Sequence, residues 1–136
     1  QSFKELVLDE GGWVNDPDDS GGETYLGVTR RDHPNAKFWA IIDAIKKASG
    51  TKDINIKLKA IPAVIDEIKR IYKQSYWDPI QLDQVNSKGL AHQIFDHAVN
   101  AGVGSAIGLA QELVGMKVTK KYTNDLLIKL KEYGKV

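Results

Sequence analysis

At 136 residues, 42% of them hydrophobic, the chain has the length and composition of one globular domain with a sizeable core. Its 19 Lys and Arg against 18 Asp and Glu leave a formal net charge of +1, and the absence of cysteine excludes disulfide and thiol chemistry. No apolar run approaches a membrane span and there is no low-complexity tract or internal repeat, so a single soluble domain is expected. The start at Gln1-Ser2, with no Met, is compatible with removal of a signal peptide or leading residues.

The first predicted element is a short helix ending at Glu10. Phe3, Leu6 and Val7 stand at i, i+3 and i+4, and the i+7 position on that apolar face is Glu10 itself. Gly11 and Gly12 follow at once, and glycine closes a helix because it readily takes the left-handed conformation. A carboxylate in the last turn meets the partial negative charge of the helix's free carbonyls. Residues 1–29 add like charge, with one Lys against seven acidic side chains, a net −6. Partial burial, helix end and like charge all favour the protonated form, which makes Glu10 a candidate general acid. A solvated terminal Glu with an accidental phase is the competing reading. Asp16, Asp18 and Glu23 enter this picture only through their charge.

Residues 15–22, NDPDDSGG, concentrate turn formers, and residues 23–29, ETYLGVT, alternate as a strand does. A helix feeding a small hairpin or sheet is expected. Asp19 lies nine positions after Glu10, where a second carboxylate can face the first across a groove. Glycoside hydrolysis uses such a pair, one to protonate the leaving oxygen and one to activate water or stabilise the cationic sugar. Asp16, Asp18, Ser20 and Gly21 also match the opening of an EF-hand loop, but its twelfth position, where a bidentate Glu belongs, is Gly27. No metal is expected.

Further along, Phe38, Ile41, Ile42 and Ile45 have the spacing of an amphipathic helix that Gly50 stops. The segment 51–59 alternates through Ile54, Ile56 and Leu58, which predicts a short strand or an extended connection. Pro62 suits a first helical turn, and Ile61, Val64, Ile65, Ile68 and Tyr72 form the buried stripe of a helix running to about Tyr76. Trp77 at its end is a packing anchor before it is a platform for a sugar ring, and Trp13, beside Glu10, is the better candidate platform. Ser87 is a plausible N-cap for a helix with Leu90, Ala91, Ile94, Phe95 and Ala98 on its apolar side. His33, His92 and His97 make no zinc arrangement, the last two being five apart with no Cys. Gly102, Gly104, Ser105 and Gly108 open a helix through Val114 whose small residues allow close approach to a neighbour. A last helix is predicted over about 122–133, with Leu126, Leu127 and Leu130 inward. Lys117, Lys120 and Lys121 form a solvated face or attract an anionic wall polymer, and lack the aromatic interleaving of a nucleic-acid groove.

Several of these motifs together resemble glycoside hydrolase family 108, the N-acetylmuramidases of endolysin and secretion-activator type. Glu10-Gly11-Gly12-Trp13, the run from Asn15 to Thr24, and Gly27-Val28-Thr29 are similar to the family's EGGY/W, NDPxDxGGxT and GIT signatures. Tyr76-Trp77-Asp78-Pro79-Ile80 resembles the family's junction with its peptidoglycan-binding portion, and residues 95–102, FDHAVNAG, resemble its FDxAVNxG. The order Glu, Asp, Thr is also similar to the catalytic triad of phage-type lysozymes. The family's DGxxGPxT turn is absent at 116–123, which puts wall binding by the C-terminal portion in more doubt than the hydrolytic centre.

The resemblance implies a mainly α, lysozyme-like fold with a small β-hairpin beside the active-site cleft. It implies one domain over 1–136, with a catalytic portion to residue 76 and a helical portion over 77–136. Glu10 is then the acid, Asp19 the base or electrostatic partner, and Thr24 the hydroxyl that orients water. Trp13, Tyr25, Trp77, Asp96 and Asn100 are the expected substrate contacts. The partner is the peptidoglycan glycan strand, handled by a monomer without cofactor, nucleic acid or membrane insertion. The place of action is the cell wall, reached in the periplasm, outside the cell, or on release of a phage endolysin. A lytic transglycosylase, or a non-catalytic wall-binding or secretion-accessory protein on the same scaffold, are the alternatives.

Overall fold

The computed structural model describes residues 12–16, 18 and 22–134. Glu10 with its expected helix, and Asp19, lie outside the described residues. The chain divides into two units, Gln1–Arg70 and Ile71–Val136. Among the described residues the elements are mainly helical, joined by one small antiparallel sheet, as expected.

The first unit holds strands β1 (Trp13–Asn15), β2 (Glu23–Tyr25) and β3 (Val28–Thr29), followed by helices α1 (Phe38–Ser49), α2 (Ile54–Lys59) and α3 (Pro62–Tyr72), within which the division falls. The amphipathic spacing of α1 buries Phe38, Trp39 and Ile42. Its own N-terminus supplies no side-chain cap, and the exposed donors are met instead from α3. Glu67 accepts from Lys37 N at 2.8 Å and from Phe38 N at 2.7 Å, placing an anion where the helix dipole favours one.

Helix α2 corrects the strand or extended connection expected over 51–59. Ile54 and Leu58 are buried while Ile56 is 71% exposed. The i, i+4 pair belongs to both periods, and only the intervening residue separates them, so the hydrophobic Ile56 on the solvent side imitated a strand. Helix α3 ends earlier than expected. It is α-helical only to Tyr72, continues as a π-helical turn over Lys73–Trp77, and gives way to 3-10 turns at Asp78–Ile80 and Leu82–Gln84.

In the second unit, α4 (Lys88–Ala101) starts on the expected cap, with Ser87 Oγ accepting from Leu90 N at 3.2 Å, and buries all five predicted apolar residues. Gly102 (φ 94°) closes α4 through its N–H on Ala98 O and begins α5 (Val103–Leu113), so the two helices form a tight hairpin. Of the small residues of α5, Gly108 allows the close approach expected. A Cβ on Gly108 would stand 3.3 Å from both Val118 Cγ1 and Lys120 Cγ, whereas one on Gly104 would meet nothing. A loop, not a helix, lies against this glycine.

That loop is held by one buried polar side chain. Gln111 is 1% exposed, its Oε1 accepts from Thr119 N and Lys120 N at 2.9 and 3.0 Å, and its Nε2 donates to Thr119 Oγ1 and Lys121 O at 2.9 and 3.2 Å. Both ends of one amide therefore replace the missing glycine turn and lead the chain to α6 (Asn124–Glu132), capped by Thr123. Gln111→Leu fills the same space but removes all four hydrogen bonds of the clamp, each worth about 0.5–1.5 kcal/mol net where water can replace a partner. We expect a loss of about 2 kcal/mol in urea unfolding, and an unchanged midpoint would contradict the clamp.

Candidate active-site sheet

The sheet runs in the order β1-β2-β3, with Trp13 opposite Tyr25, Val14 opposite Thr24, and Thr24 opposite Thr29. Successive side chains on a strand point to opposite faces, so this register sorts the sheet into two. Val14, Thr24 and Thr29 share one face, and Val14 is 51% exposed there. Trp13, Glu23, Tyr25 and Val28 share the other, where Tyr25 and Val28 are buried. The hairpin between β2 and β3 turns on Leu26 and Gly27, both at positive φ (48° and 81°), the signature of a primed turn matched to the strand twist.

The inner face is tied down by a network that no local pattern announced. Glu23, with its side chain only 9% exposed, accepts from Trp13 Nε1 at 2.8 Å, from Arg30 Nη1 at 2.8 Å and from Lys46 Nζ at 3.0 Å. Arg30 also forks onto Asp43 of α1 at 2.9 and 2.8 Å. Lys46 Nζ stands over the Trp13 ring, 5.7 Å from its centroid. Burial pushes the Glu23 carboxyl up, but the hydrogen bonds from Arg30, Trp13 and Lys46 outweigh it and hold the group below its usual value. The Arg30 fork pulls Asp43 down to about 2. Groups lowered on folding stabilise above their ordinary range of about 4, and that contribution is lost as pH falls toward the folded value. Glu23 is therefore not one more uncompensated charge among the N-terminal carboxylates, because two cations from outside that stretch neutralise it.

Gly12 has a steric reason of its own. Trp13 N donates to Asn55 Oδ1 of α2 at 2.7 Å, and a Cβ on Gly12 would collide with that same side chain. The helix at 54–59, read from sequence as extended, is thus what receives the start of β1.

The expected site residues fall out differently. Thr24 sits at the centre of the middle strand, on the more exposed face. Trp13 is partly buried on the opposite face, so the sheet does not bring these two together. Tyr25, expected to contact substrate, is a core residue at 0% exposure with its ring 6.1 Å from Phe38. Its position opposite Trp13 and Val28 turns it inward, and its buried hydroxyl has no hydrogen-bond partner among the described residues.

In the second unit, Trp77 donates its indole N–H to Asp83 Oδ1 at 2.8 Å and lies edge-on to Phe95, with centroids 5.5 Å apart. It also walls an open groove of about 430 Å³ with Leu82, Asp83, Asn86, Lys88 and His92. Asn100 folds back on its own helix, donating one amide N–H to Asp96 O at 2.9 Å. Asp16 is likewise engaged, its Oδ1 accepting from Asp18 N at 2.9 Å in a local turn. Among the described residues no group of three His, Asp or Glu side chains is placed to hold a metal ion, and no helix is long and apolar enough to cross a membrane.

The profile of the family described as Glycosyl hydrolase 108 matches residues 3–102. Among solved structures, SagA of Brucella abortus is similar at 25% identity with a TM-score of 0.55, over 95% of this chain and 66% of that one. The chain thus spans slightly under two thirds of that neighbour's length. No curated protein gives a significant match.

Proposed function

Because the chain belongs to glycosyl hydrolase family 108, we propose that it hydrolyses the glycan strand of peptidoglycan at N-acetylmuramic acid. Glu10 gives its proton to the leaving glycosidic oxygen as the bond to the anomeric carbon breaks. Water adds to that carbon and yields its own proton to Asp19, which acts as base or electrostatic partner. Thr24 orients the water through its hydroxyl.

The observation that carries this reading is the placement of Thr24. It occupies the centre of the middle strand, and its side chain leaves the sheet on the face away from buried Tyr25 and Val28. A hydroxyl on a strand flanked by two others is held more firmly than one on a loop, which is what positioning a reactant requires. Trp77 and its groove suit contact with a saccharide, since an indole face and adjoining polar groups fit the two sides of a sugar.

A turbidity assay tests the proposal. The protein is expected to clear a suspension of purified peptidoglycan, and to do so without added metal or cofactor. Co-sedimentation with the wall but no clearing would replace the hydrolase with a wall-binding or secretion-accessory protein.

A further inference from the structure

We infer that Glu23 is the positioning residue for Thr24, acting from the opposite face of the sheet to hold the central strand at a fixed place and tilt. The inference rests on the proposed role of Thr24 and extends it to a residue that touches no substrate.

Glu23 immediately precedes Thr24 and makes contacts in three directions. Its carboxylate reaches β1 through the Trp13 indole N–H, the residue after β3 through Arg30, and α1 through Lys46. Arg30 closes a second loop, since its backbone N donates to Glu23 O at 2.9 Å while its guanidinium joins Glu23 to Asp43. Strand β1, the residue that follows β3 and helix α1 thereby converge on the residue next to Thr24.

The chemistry of the contacts demands a carboxylate. Its Oε1 accepts from Arg30 and its Oε2 from Trp13 and Lys46, so both oxygens must be acceptors. Glutamine offers one oxygen and one NH₂, which in either orientation faces a donor with a donor. A short strand needs such a brace, because three-residue strands contribute few ladder bonds of their own.

The experiment combines Glu23→Gln with Thr24→Ala on purified peptidoglycan. Glu23→Gln is expected to remain folded, to lose kcat by roughly tenfold to a hundredfold, the range a small misplacement costs, and to keep KM within about twofold. In the Thr24→Ala background the same substitution should cost nothing further, because the residue it acts through is gone. An equal loss in both backgrounds would overturn the inference and leave Glu23 a structural residue only. A second readout needs no catalysis. The NMR order parameter of the Thr24 methyl should fall in Glu23→Gln, and no change there overturns the inference even if the wild type proves unable to lyse peptidoglycan, which would separately refute the proposed function. Should Glu23→Gln fail to fold, Arg30→Lys, which keeps the charge but loses the planar guanidinium that bonds Glu23 while forking onto both oxygens of Asp43, is expected to show the same pattern at smaller size.

Discussion

Replacement of Glu10 by Gln is expected to abolish clearing of purified peptidoglycan while leaving the helical circular dichroism and wall co-sedimentation intact. Glutamine nearly matches the side chain in shape but has no proton to give to the leaving oxygen. Loss of a positioned general acid costs on the order of a hundredfold or more in rate. The assignment rests on sequence phase, because Glu10 continues the apolar face of Phe3, Leu6 and Val7 and stands directly before Gly11 and Gly12. It also rests on membership of a glycosidase family whose profile begins at residue 3. Unimpaired clearing by Glu10→Gln would remove the acid from the mechanism.

Asp19→Asn should be the second large loss, stronger than Thr24→Ala, because in the proposed mechanism it deletes the group that takes the proton from water, whereas Thr24 only orients that water. Three aspartates crowd the same turn. Asp16 Oδ1 accepts from the Asp18 backbone N–H at 2.9 Å, as in a local turn. An inverting enzyme holds its two carboxyl groups roughly 6.5–9.5 Å apart to admit a water, and a retaining one only about 5 Å apart. The nine-residue excursion from Glu10 to Asp19 favours the wider gap, so the reducing end is expected to form with inversion. Anomeric analysis by NMR checks this, and a covalent sugar trapped on Asp19 would show retention. Full activity in Asp19→Asn, with Asp18→Asn inactive, would mean that the pattern was aligned to the wrong carboxylate.

Much of the architecture was legible because it is local. The Phe38 to Ile45 stripe, the Ser87 cap and the apolar face of the following helix each declare themselves within two turns of chain, and each is present. Local reasoning failed where two periods share positions, as at Ile54 and Leu58, which suit a strand or a helix until Ile56 is seen in solvent. It failed again where a polar residue answers a distant need. Gln111 looks like any glutamine on a helix, and nothing around it tells that two backbone N–H groups eight and nine residues on depend on it. Glu23 is the instructive case for the site. Counted with its neighbours it adds to an acidic stretch, yet its partners lie ten residues before it and seven and 23 after it, and they make it a brace instead. Tyr25 was misplaced for a related reason. Alternation assigns it a face, but only the pairing with Trp13 and Val28 tells which face is the core.

The separation of Thr24 and Trp13 onto opposite faces also changes what the EGGW motif is for. Gly12 yields to Asn55 and Trp13 binds Glu23, so this end of the motif anchors the inner face of the sheet. The Trp13 ring lies under Lys46, which covers the face a sugar would need.

Mass spectrometry of the products released from purified peptidoglycan in heavy-oxygen water tests the central claim most directly. Hydrolysis at N-acetylmuramic acid predicts fragments with a reducing muramic end, each carrying one heavy oxygen from solvent at the anomeric carbon. Anhydromuramic ends without solvent oxygen would instead identify a lytic transglycosylase, and an undegraded glycan would contradict catalysis altogether.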